Sequence, residues 1–147
     1  MRIPVPAITR PAALMAIAIS ALALSAGAAS AATPANTGNA CWLNSGPSEP
    51  GITCVNITGT GLHIKTMKGW WRNESGVTLS GIHVELEGPN GRIKNGPTVT
   101  VRNNSNSPNV VWSPNRNEKA GRYCSVAWYY EDHHFVDLGG DCVSVRK

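Results

Sequence analysis

The chain predicts an all-β fold: an antiparallel sandwich of about seven strands closed by two disulfides. Three observations carry this. Beyond the N-terminal leader no window sustains a helical period. Short runs rich in Val, Ile, Thr, Trp and Tyr alternate with turn-forming clusters, and the chain holds 15 Gly and 10 Pro to supply them. All 4 cysteines lie in this same part of the sequence.

The leader comes first. Arg2 and Arg10 precede an Ala/Leu/Ile run from Ala12 to Leu24, and Ala29-Ser30-Ala31 fits an A-x-A cleavage pattern. The run is about 13 residues, against the roughly 20 a membrane span needs. Residues 1–31 are therefore read as a signal peptide, of the Ala-rich type that resembles high-GC Gram-positive signals. Residues 32–40 read as a disordered lead-in and 41–147 as one domain. The expected product is secreted and extracellular, with no membrane attachment once the signal is gone. Arg2 and Arg10 leave with the signal, so Lys+Arg falls from 13 to 11 against 9 Asp+Glu, a net charge of +2. These charges are dispersed, which argues against a nucleic-acid footprint.

An even cysteine count in an exported chain points to disulfides. Three pairings are possible. Cys41–Cys54 with Cys124–Cys142 is favoured because each pair then brackets a plausible hairpin. Each closure is worth roughly 3 kcal/mol by the chain-entropy account. There is no Cys-x-x-Cys, and no metal is expected.

Strands are expected at Ile52–Thr58, Leu62–Arg72, Thr78–Glu87, Thr98–Arg102, Val110–Trp112, Arg122–Tyr130 and Phe135–Val145, with Cys41–Leu43 a short edge piece. "GPNGR" at 88–92 is the strongest turn signal. In the third strand Ile82, Val84 and Leu86 alternate with His83, Glu85 and Glu87, giving one dry and one charged face. A tight turn near Asn73–Val77 would make the second and third strands a hairpin, setting Lys65 opposite Glu85, His63 opposite Glu87 and Ile64 opposite Leu86. Both strands change phase, and a shared bulge at Gly69 and Ser80-Gly81 accounts for it. Trp71 then faces the core and Trp70 faces out. In the last two strands, pairing Cys124 with Cys142 sets Val126 opposite Gly140, Trp128 opposite Leu138 and Tyr130 opposite Val136. That makes Trp128 a core anchor and turns Tyr129 outward. Trp42, Trp112 and Tyr123 stay unassigned.

The stretch "MKGWWRNESGVTLSGIHVELEGPNGRI", residues 67–93, resembles the G-x-hydrophobic-x-N…L-x-x-V-x-V-x-L…G pattern of bacterial immunoglobulin-like domains of the FxLYD type, without their Phe-x-Leu-Tyr-Asp ending. The resemblance implies an immunoglobulin-like sandwich with the hydrophobic residue after Gly in the core. Residues 120–145, "AGRYCSVAWYYEDHHFVDLGGDCVSV", resemble the ending of small uncharacterised secreted proteins of actinobacteria. Neither resemblance brings a site.

Catalytic signals are weak. Glu131, Asp132, His133, His134 and Asp137 gather at a hairpin tip, where polar residues are ordinary. No Gly-x-Ser-x-Gly elbow occurs, and bonded cysteines cannot serve as nucleophiles. Glu85 and Glu87 sit roughly 7 Å apart along one strand face, a spacing that could suit glycoside hydrolysis, but that face reads as solvated and charge-paired. Exposed aromatics are the better lead, since flat rings stack on sugars or anchor interfaces. The expected binding residues are Trp70, Arg72 and Tyr129. The expected protein is a monomeric, cofactor-free, non-enzymatic binding or surface-associated module for an extracellular polysaccharide or protein. The alternative is a proteinaceous inhibitor of an extracellular protease or amylase, with Trp70 and Arg72 entering the enzyme's cleft.

Overall fold

A computed structural model describes residues 38–44 and 50–147; residues 1–31, read above as a signal peptide, and residues 32–37 of the expected lead-in lie outside them. Ten strands occur among the described residues: β1 Gly38–Asn44, β2 Gly51–Thr60, β3 His63–Asn73, β4 Leu79–Gly88, β5 Gly91–Asn95, β6 Val99–Val101, β7 Val110–Trp112, β8 Arg116–Asn117, β9 Gly121–Glu131 and β10 His134–Val145. The seven expected strands and the edge piece are all present. β5 and β8 are additions, and β1 begins at Gly38, inside the stretch read as lead-in. The strands form two antiparallel sheets. One runs β1-β2-β3-β7 with β8 also on β3; the other runs β10-β9-β4-β5 with β6 also on β4. This is the immunoglobulin-like sandwich expected.

Alternation builds the core. On β4 Ile82, Val84 and Leu86 are buried, and the facing sheet supplies Val55, Ile57, Ile64, Met67 and Trp71. Trp71 is wholly buried, which stabilises by roughly 2–3 kcal/mol. The Pro89-Asn90 turn joins β4 to β5, with Gly88 opposite Gly91. Gly91 takes the positive φ, +97°, that a residue without Cβ adopts freely.

Two pairings differ from expectation. β3 and β4 are not a hairpin; they belong to different sheets. β3 pairs with β2, and β4 with β9. The segment after Asn73 crosses between sheets, and Asn73 shapes it. Its buried amide donates to the carbonyls of Val77 and Val101 at 2.7 and 2.9 Å and accepts from Ser75 N and Oγ at 2.9 and 2.7 Å. Ile64 and Leu86 are both core residues, but of opposing sheets. Glu85 pairs with His83 and Arg92 rather than Lys65. The bulge at Gly81 is present, with φ +93° and a register shift between Ser80 and Ile82. In β3 the shift falls at Lys65, between Thr66 and Ile64, instead of at Gly69.

The second difference is the phase of β9. Tyr123, Ser125 and Ala127 are buried, and Tyr129 packs against the core. Trp128 therefore lies on the outer face and is not a core anchor. The register holds at Val126 opposite Gly140, then shifts between Asp137 and Gly139, setting Trp128 opposite Asp137 and Tyr130 opposite Phe135. Tyr123 closes the turn before β9: its hydroxyl donates to the Lys119 carbonyl at 2.9 Å. A tyrosine at the start of this strand bonded to backbone just upstream is the tyrosine corner of immunoglobulin-like sandwiches.

Both favoured disulfides are formed, Cys41–Cys54 and Cys124–Cys142, with Cα separations of 4.1 and 4.0 Å. Each joins directly opposed residues of neighbouring strands. Neither bridges the sheets.

Candidate functional site

The outer face of the first sheet is built by the residues that alternate with the core set. On β3 these are Lys68, Trp70 and Arg72. Register places Cys54 opposite Trp70, and Cys41 opposite Cys54, so a disulfide lies beside the indole. One row further along stand Asn39, Asn56 and Lys68. Asn56 Nδ2 donates to Asn39 Oδ1 at 2.6 Å. On the other flank the loop between β6 and β7 brings Asn106 and Asn109, and Asn106 is bridged to Arg72. Together Asn39, Asn56, Lys68, Trp70, Asn106 and Asn109 line an open trough of about 400 Å³.

The chemistry of this lining is narrow. An indole contributes a flat apolar face with one polar edge. Each Asn amide offers two donors and an acceptor, and Lys68 adds three donors. A sugar hydroxyl both donates and accepts, so four amides around an aromatic floor match a polyhydroxylated ring. No carboxylate, imidazole or thiol is among the lining residues. The trough therefore lacks the pair of groups that general acid–base chemistry needs.

The expected binding residues are divided by the structure. Trp70 is partly buried and outward, inside the trough. Arg72 is exposed on the same strand face and pairs with Glu74. Tyr129 is not outward: it shares the core face of β9 opposite Ile82, far from a role as an exposed ring. The outward aromatics of that hairpin are Trp128, Tyr130 and Phe135. The four asparagines were missed. Their signal in the sequence is compositional only, the Asn-rich loop 103–109 and single Asn residues on two strands, and nothing in spacing shows that register gathers them.

The acidic and histidine cluster of the β9–β10 tip forms a tight turn, with Asp132 and His133 at φ +46° and +67°. Among the described residues no group of three or more His, Cys, Asp or Glu could hold a metal ion, and no helix is long and apolar enough to cross a membrane.

No protein-family model and no curated protein matches this sequence. Among solved structures, the chain is similar to the CARDB domain of a Pyrococcus furiosus protein, at 17% identity and a TM-score of 0.43, over 63% of this chain and 88% of that one.

Proposed function

We propose that the domain is a secreted, non-enzymatic binding module that holds a polysaccharide in the Trp70 trough. The carrying observation is the lining itself: one outward tryptophan ringed by four asparagines and a lysine, on a sheet face the core does not use. The two disulfides and the signal-like leader support an extracellular setting. Trp70 lies within a trough rather than on a protruding tip, which favours receiving a ligand over entering an enzyme's cleft as an inhibitor would.

Co-sedimentation of the chain lacking residues 1–31 with insoluble polysaccharides (cellulose, chitin and purified bacterial cell wall) tests this. At least one should retain the protein. Trp70→Ala should release it while the far-ultraviolet spectrum stays unchanged, and Trp70→Phe should keep part of the retention. Retention that survives Trp70→Ala, or its absence on every polymer, contradicts the proposal.

A further inference from the structure

The outer face of the second sheet carries another cavity, of about 330 Å³. β4 supplies His83 and Glu85, β5 supplies Arg92 and Asn95, β9 supplies Trp128 and β10 supplies Phe135. The Glu85 side chain is only 6% exposed. Its two oxygens are engaged separately, Oε1 with His83 Nε2 at 3.1 Å and Oε2 with Arg92 Nε at 3.0 Å. A carboxylate this deeply covered needs a partner, and Arg92 provides it through Nε. The Arg92 side chain itself is 59% exposed, and neither Nη group bonds a described residue. An arginine fixed in this way presents a pre-oriented fork for a planar anion.

The walls supply the rest. Phe135 is 45% exposed, its ring 5.5 Å from that of His83 and 5.1 Å from that of Tyr130. It forms an aromatic ledge beside the fork. Trp128 Nε1 and His83 Nδ1 are buried without a hydrogen-bond partner, an unusual cost in a free domain. Asn95 adds an amide that both donates and accepts. The one carboxylate among the lining residues is Glu85, and both its oxygens are already engaged, by His83 and by Arg92.

We infer that this cavity binds one acidic pyranose residue, a uronate, with its ring against Phe135 and Trp128 and its carboxylate on the free edge of Arg92. The site lies on the opposite sheet from Trp70 and does not rest on the Trp70 reading.

Titration of isotope-labelled protein with trigalacturonate, followed by NMR, tests it, with neutral galactotriose as the comparison. Trigalacturonate should move the Trp128 indole and Phe135 ring signals. Galactotriose should bind at least about tenfold more weakly, the loss of one charge-assisted pair. Phe135→Ala should weaken trigalacturonate by a similar factor. Arg92→Lys, which keeps a cation beside Glu85 but not the fork, should do the same, and Trp70→Ala should change nothing. Equal binding of the neutral sugar, an unaffected Arg92→Lys variant, or no shift at about 10 mM ligand, well above a millimolar Kd, overturns the inference.

Discussion

The Tyr123 hydroxyl donates to the Lys119 carbonyl at 2.9 Å, tying the start of β9 to the turn that precedes it. Tyr123→Phe should cost about 1 kcal/mol at neutral pH, the net worth of one hydrogen bond, read from urea denaturation.

The same side chain gives a pH signature. Burial, and then the negative charge of Glu118, raise its pKa above the ordinary 10.0. The folded state thus holds this proton more tightly than the unfolded state. Its contribution is complete below pH 10 and declines as pH rises through the folded pKa. The stability difference between wild type and Tyr123→Phe should hold below pH 10 and shrink as pH rises above it. A difference that stays constant as pH rises contradicts the assignment.

Gly69 of β3 faces the opposite sheet so closely that a Cβ there would stand 2.4 Å from Ser125 Oγ and 2.6 Å from Leu86 Cδ2. Gly69→Ala should therefore destabilise by about 1–3 kcal/mol through overpacking. Adding Ser125→Gly should recover part of the loss, a coupling that a double-mutant cycle measures.

Asn73 spends its whole amide on the crossover between sheets. Asn73→Ala should cost about 2–4 kcal/mol, since buried partners lose their bonds. Asn73→Asp should cost at least as much at neutral pH, because a carboxylate cannot donate to the carbonyls of Val77 and Val101. Equilibrium denaturation of both variants checks the order.

The disulfides close segments of 13 and 18 residues, so the chain-entropy account separates them by only about 0.3 kcal/mol. Their settings differ. Cys124–Cys142 joins two long strands within a sheet, and removing it by paired Ala substitution should cost about 3 kcal/mol globally. Cys41–Cys54 fastens an edge strand that, among the described residues, pairs only with β2. Its removal should appear first as faster amide exchange across Gly38–Asn44.

Which of these features could be read from the residues follows from what alternation encodes. Strand identity and facing are plain on β4, where Ile82, Val84 and Leu86 alternate with His83, Glu85 and Glu87, and at Trp71. Neighbour identity was not. A short turn-rich segment serves a hairpin or a crossover equally well, and only the Asn73 bonds, formed to Val101 far along the chain, separate the two. On β9 the face that carries Cys124, Val126, Trp128 and Tyr130 reads in the sequence as the core face. A cross-strand disulfide between directly opposed residues can sit on either face, and this one lies outside, which exchanged the roles of Trp128 and Tyr129. The trough was half legible: Trp70 stood out as an outward ring, while its asparagines come from β1, β2 and a loop that only register brings together.

The most direct measurement is the response of the 5 tryptophan indole N–H signals to a soluble oligosaccharide of whichever polymer retains the protein. The account predicts that the Trp70 signal shifts with saturation while that of its core neighbour Trp71 stays fixed. A ligand that binds and leaves Trp70 unmoved would contradict it.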